Sequence, residues 1–126
     1  ISAWAKAHPS QVENMLNANP RFVFFRKLPS DVAPDVGPIG ALGVPLTTER
    51  SIAIDRRALP LGAPVFLSTT QPLSSQVLQK LVMAQDTGKA IVGGVRVDYY
   101  WGSGDRAGQL AGRMKQTGRV WVLLPR

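Results

Sequence analysis

The 126-residue chain contains no cysteine, which removes a disulfide framework, a thiolate metal site and a thiol nucleophile together. Its single histidine, His8, leaves too few ligands for a protein-only zinc site. It also stands far in sequence from Ser51, Ser68 and Ser103, so no serine–histidine pair is in view. No stretch approaches the roughly 20 apolar residues needed to cross a bilayer. Acidic residues are scarce, 8 against 15 lysines and arginines for a net charge of +7. Beyond Glu49 glutamate disappears, and Asp55, Asp86, Asp98 and Asp105 are the remaining acids. Runs of basic residues are missing too, Arg26-Lys27 and Arg56-Arg57 being the adjacent pairs. With no RNP-like aromatic motif, the positive charge reads first as a scattered cationic surface, an anionic partner such as nucleic acid, a lipid surface or a carboxylate-bearing polymer being the alternative. Starting at Ile1 without an initiator methionine or a signal-peptide pattern, the chain reads as a mature or excised piece. A domain needing neither metal nor cofactor is what remains.

The chain does have a core's worth of apolar residues. The hydrophobic fraction is 44%, the charged fraction 18% and the mean hydropathy zero, the composition of one globular domain. Residues 1–20 form a helical lead-in: Ala3, Trp4 and Ala7 have helical spacing, and Ser10-Gln-Val-Glu13 matches a capping box ahead of Val12, Met15 and Leu16. Asn19-Pro20 stops it. Residues 21–126 read as a small barrel. Strands are expected over 21–26, 51–55, 63–69, 77–85, 95–101 and 119–124, from β-branched and aromatic content bounded by glycine and proline. A proline-rich loop fills 27–45. A helix is expected over 103–116, with Ala107, Leu110, Ala111 and Met114 as its apolar stripe and Gly118 as its C-cap. Six short strands with few helices point to a mainly β, closed barrel.

Three aspartates occupy comparable places. Asp55 and Asp86 end strands, and Asp98 lies inside the aromatic strand Val97-Asp-Tyr-Tyr-Trp101. Partial burial of Asp98 among rings, with a second carboxylate nearby, would raise its pKa, which suits a general acid. The alternative is that each aspartate caps a turn or pairs with a neighbouring arginine. Asp86-Thr-Gly88 matches the triplet of aspartic proteases, but such an enzyme needs two of these sites. Gly93-Gly94 and Gly102-Ser-Gly104 lack the lysine of a phosphate cradle and read as turns. Tyr99, Tyr100 and Trp101 could stack a sugar or a base, or could be core.

Taken in order, Asn19-Pro-Arg-Phe-Val-Phe-Phe25, Gly40-Ala-Leu-Gly-Val-Pro-Leu46, Ser51-Ile-Ala-Ile-Asp-Arg56, Gln85-Asp-Thr-Gly-Lys-Ala-Ile91, Arg96-Val-Asp98, Trp101-Gly-Ser-Gly104, Ala107-Gly108, Ala111-Gly112 and Gly118-Arg-Val-Trp-Val122 resemble one known pattern. It is that of the C-terminal part of the membrane-bound lytic murein transglycosylase A family, with its three-aspartate domain. The resemblance covers essentially the whole chain. It implies a six-stranded double-psi β-barrel that cuts peptidoglycan between N-acetylmuramic acid and N-acetylglucosamine without a cofactor. It further implies Asp98 as catalytic acid, Asp86 and Asp55 as companion carboxylates, and Thr87, Gly88, Tyr99, Tyr100 and Trp101 as substrate contacts. Peptidoglycan glycan strands would be the partner, in the periplasm at the outer membrane. An upstream segment of the same protein would complete the cleft. Two other readings are a non-catalytic glycan-binding barrel using the three rings, and a single-strand nucleic-acid binder using the same rings.

Overall fold

The computed structural model describes residues 1–20, 24, 36–94 and 96–126. The strand expected over 21–26, apart from Phe24, and the first part of the loop expected over 27–45 lie outside the described residues. The chain divides into two compact units, Ile1–Val32 and Ala33–Arg126.

In the first unit, helices α1 (Ser2–Ala7) and α2 (Val12–Asn17) flank a 3₁₀ turn at Pro9–Gln11. The expected capping box does not form. Pro9 opens the 3₁₀ turn and draws Ser10 into it, so Gln11 precedes α2 and makes no side-chain cap bond. His8 is occupied locally, its ring stacked on Trp4 at 4.7 Å and its Nδ1 3.0 Å from the Trp4 carbonyl oxygen. Helices of six residues do not hold alone, and none of these helical residues is buried.

The second unit is built on five strands, β1 (Ser51–Ile54), β2 (Pro64–Thr70), β3 (Val77–Thr87), β4 (Asp98–Tyr99) and β5 (Arg119–Val122). They form one sheet in the order β4-β1-β3-β2-β5. β1 and β3 run parallel; the other three pairings are antiparallel. Period-two alternation turns Ile52 and Ile54, Val65 and Leu67, and Val82 and Ala84 to one face, where Tyr99, Trp101 and Ala107 join them in the core. Helix α3 (Asp105–Arg113) lays Ala107 and Leu110 on that core, and Met114 follows at its end.

Three expectations change. β4 is two residues long, not seven: among the described residues only Asp98 and Tyr99 pair with β1, opposite Ala53 and Ile52, and beyond them Tyr100 keeps a single N–H bond to the Ser51 carbonyl at 3.0 Å. α3 stops at Arg113, where Met114 becomes extended. Gly118 is therefore no C-cap. A Cβ there would stand 2.6 Å from the Ser68 carbonyl oxygen, so its role is the close approach of the chain to β2 as it enters β5. The sheet is also open among the described residues, since no hydrogen bonds join β4 to β5. A cleft of about 890 Å³ separates them, lined by Leu67, Tyr99, Trp101, Met114, Val120 and Trp121. Strands from opposite ends of the sheet thus face one cavity: the sheet curls but does not close.

Candidate active site

The geometry of the site starts from an irregularity in the β1–β3 pairing. Ile52 lies opposite Ala84, but Ala53 lies opposite Asp86, so Gln85 is an extra residue on β3. Because strand neighbours share a face and the side-chain period is two, one extra residue moves everything after it to the other face. Without the bulge Asp86 would point with Ala84 into the core. With it, Asp86 stands beside Ala53. Gln85 accepts a hydrogen bond from the Ser51 hydroxyl, whose oxygen in turn accepts from the Thr47 N–H at 2.8 Å. The bulge is also braced from outside: the Leu42 N–H donates to the Gln85 carbonyl at 3.0 Å and the Ala41 N–H to Asp86 Oδ1 at 3.0 Å. Gly40 permits this approach, since a Cβ there would come within 2.5 Å of the Gln85 carbonyl oxygen.

On the other side of β1, Ala53 lies opposite Asp98. Asp98, Ala53 and Asp86 therefore form one row across three strands, on the face away from Ile52 and Tyr99. Two strand spacings put the aspartate backbones roughly 10 Å apart. The residue between them is alanine, so the floor separating the two carboxylates is low.

Asp98 is not buried among rings as expected; its side chain is 46% exposed. Arg96, two residues earlier, grips it with a fork, Nε to Oδ1 at 2.9 Å and a terminal nitrogen to Oδ2 at 3.0 Å. The remaining terminal nitrogen donates to the Ala90 carbonyl at 2.8 Å. Hydrogen bonding to Asp98 raises the Arg96 guanidinium above its ordinary value.

Asp55 makes a similar fork in a different setting. Arg57 Nε donates to Oδ1 at 3.0 Å and its terminal nitrogen to Oδ2 at 2.8 Å. Two backbone N–H groups add to this, Arg57 at 3.0 Å to Oδ1 and Gly93 at 2.8 Å to Oδ2. The Arg57 fork first, then the Gly93 and Arg57 amides, hold this carboxyl well below the usual carboxylate range. Asp55 is buried, and its bond to Gly93 ties β1 to the loop that follows Asp86 and Thr87.

The aromatic run splits by strand parity. Tyr99 and Trp101 point inward, 8% and 7% exposed, and meet edge to face at 4.9 Å. Tyr99 donates its hydroxyl to the Glu49 carbonyl at 2.8 Å, and the Trp101 indole N–H reaches Met114 Sδ at 3.3 Å. Burial, with the Glu49 charge adding to it, pushes the Tyr99 phenol up to about 12. These two rings are core, not a stacking platform, because residues two apart on a strand share a face. Tyr100 alone of the three is turned the other way, half-buried, with its hydroxyl 3.3 Å from Ser103 Oγ. Thr87 closes β3 opposite Ile54, and Gly88 opens the following turn. Arg96, Arg57 and Ala53 were not singled out from the sequence. The Arg-x-Asp and Asp-x-Arg spacings were the available signal: the first places the charged pair on one side of an extended chain, and in the second the turn that starts at Asp55 brings Arg57 back onto it.

Among the described residues there is no cluster of three potential metal ligands, and no helix long and apolar enough to cross a membrane. Residues 50–124 match the family of 3D domains. The chain is 38% identical over 129 aligned residues to membrane-bound lytic murein transglycosylase A of Vibrio cholerae, covering 98% of this chain and 33% of that protein. Among solved structures it resembles the lytic transglycosylase LtgG of Burkholderia pseudomallei, at 61% identity and a TM-score of 0.70, covering 96% of this chain and 35% of that one. It likewise resembles Escherichia coli MltA with bound chitohexaose, at 34% identity and a TM-score of 0.75, over 96% and 36% of the two chains. The chain thus spans about a third of the length of the curated relatives it matches, a C-terminal portion of them. The matched segment takes in all five strands, helix α3 and the three aspartates of the sheet's outer row and its neighbouring turn, and on that ground the chain belongs to the 3D domain family.

Proposed function

We propose that this chain supplies the acid-bearing wall of a lytic murein transglycosylase that cleaves the β-1,4 bond between N-acetylmuramic acid and N-acetylglucosamine. The observation that carries the reading is the row Asp98–Ala53–Asp86, two carboxylates on one face with an alanine between them. The names of the relatives and the chitohexaose held by one structural neighbour support a glycan strand as the ligand.

The chemistry asks for one group that can give and then take a proton. Asp98 is the exposed carboxyl, and each of its oxygens keeps a lone-pair direction beyond the Arg96 fork. In its protonated form it gives the proton to the departing glycosidic oxygen. The carboxylate then takes the proton from the 6-hydroxyl of the muramic acid as that oxygen closes on the anomeric carbon, which yields a 1,6-anhydro end. Because the nucleophile belongs to the substrate, its effective concentration is high and no second carboxylate has to activate water. Asp86 faces the same row and contributes negative charge beside the positive charge that develops on the sugar ring. Asp55, with four donors on its two oxygens, acts as an anchor for the loop 88–94 and not as a base.

The remainder of the full-length protein would close the curled sheet into a six-stranded double-psi barrel by adding chain along the cleft between β4 and β5. The same remainder would supply the opposite wall of the glycan cleft. The membrane-bound relatives support a place in the cell envelope, and we assign the protein to the periplasmic side of the outer membrane. The two ring-stacking alternatives lose their main support, since two of the three rings are in the core.

The test is the product. Murein digested by the full-length protein should release muropeptides ending in 1,6-anhydromuramic acid, one water lighter by mass spectrometry than hydrolysed ends. Reducing ends in their place would show that water attacks and would overturn the proposed reaction.

A further inference from the structure

We propose that Arg96 is a positioning residue for Asp98, an inference that rests on the acid role assigned above. Among the described residues Arg96 makes every hydrogen bond that Asp98 receives from a side chain, and it engages both carboxylate oxygens at once. A single bond would leave the carboxyl free to rotate about its last torsion. A planar fork fixes that torsion, because two parallel N–H groups define the plane of the carboxylate. The third contact, to the Ala90 carbonyl at 2.8 Å, anchors the guanidinium on the loop after Asp86 and Thr87. Arg96 thereby ties the acid on β4 to the turn leaving β3, across the width of β1. Asp55 fastens the same loop at Gly93, so the loop is held at two points three residues apart.

The exposure of the pair argues for a functional role over a structural one. Arg96 and Asp98 are 49% and 46% exposed, and ion pairs open to water contribute little to folding. An arginine in that setting, with its planar face matched to one carboxylate and its last nitrogen on one carbonyl, chiefly determines where the carboxylate points. Lysine carries the same charge but cannot make the fork. Replacing Arg96 with lysine therefore separates charge from orientation.

The experiment uses the full-length enzyme with soluble peptidoglycan strands. It compares Asp98→Asn, Arg96→Lys, Arg96→Met and the double variant Arg96→Lys/Asp98→Asn. Arg96→Lys should lower kcat by about ten- to a hundredfold, the order expected when a catalytic group is misplaced by about 1 Å, with KM and melting temperature near the parent values. Arg96→Met should lose at least as much kcat. Against the residual activity of Asp98→Asn, adding Arg96→Lys should cost nothing more, because a residue that acts through another has no effect once that other is gone. Parent-level kcat in both Arg96 variants, alongside an inactive Asp98→Asn, would overturn the positioning role and leave the acid assignment standing. A rise in KM with kcat intact would make Arg96 a substrate-binding group and overturn it too. Loss of activity that tracks a fall in melting temperature in both single variants would assign Arg96 to the fold and overturn the proposal. Full activity in Asp98→Asn would remove the acid role, and this inference with it.

Discussion

Two aspartate–arginine forks lie at the two sides of the loop 88–94, and they differ in what surrounds them. Asp55 is buried and receives four N–H bonds, two of them from the backbone. Asp98 is about half exposed and receives two, both from the side chain of Arg96. The same residue pair at the same spacing thus yields a locked anchor in one place and an accessible carboxyl in the other. The Arg57 fork and the Gly93 and Arg57 backbone amides outweigh the opposing effect of burial and stabilise the anion of Asp55 too strongly for it to exchange a proton in the neutral range. A carboxyl held by one exposed arginine keeps open directions for a ligand. The identity of the residue does not separate the two; the number and kind of donors does.

The largest effect that follows is on Asp98. In the full-length enzyme, Asp98→Asn should reduce turnover by about a hundred- to ten-thousandfold, the range that general acid–base catalysis covers. Its melting temperature should stay close to the parent's, as expected for a surface substitution. Ala53→Leu comes next. The change raises the floor between Asp98 and Asp86, on a half-buried position outside the core, and should lower activity by about tenfold or more through lost substrate placement, with circular dichroism unchanged. Asp55→Asn should show the reverse of Asp98→Asn. Its amide group would set an N–H donor against N–H donors that now meet a carboxylate oxygen, so the melting temperature falls while turnover per folded molecule changes far less.

The smallest effect is in pH. The Asp55 carboxyl is held below its unfolded value of 3.8, so the folded state binds its proton less readily than the unfolded chain does. That contribution to stability is fully present above pH 3.8 and declines as the pH falls below it toward the folded value. Urea midpoints measured between about pH 2 and 6 should fall on the acid side more steeply for the parent than for Asp55→Asn. Equal slopes would show that Asp55 is no stronger an anchor than an ordinary carboxylate, and the contrast between the forks would be lost.

The three aspartates, the strand pattern from residue 51 onward and the apolar stripe of α3 were legible in the chain, because each depends on nearest neighbours and on periods of 2 or 3.6 residues. Pairing of an aspartate with a nearby arginine was legible in the same way, as one of two readings of each acid. The single-residue bulge at Gln85 was not. Its local sequence continues a regular strand, and its cause lies across the sheet in Ser51 and across the turn in Ala41 and Leu42. That one residue decides whether Asp86 faces the core or the row with Asp98. The burial of Tyr99 and Trp101 against the exposure of Asp98 depended likewise on which face of β4 meets Ile52. Composition and period specify the strands and place carboxylates on them. Which carboxylates share a face, and which is buried, follow from contacts between segments about 30 to 45 residues apart, and register across a sheet is set by those contacts and not by any one strand.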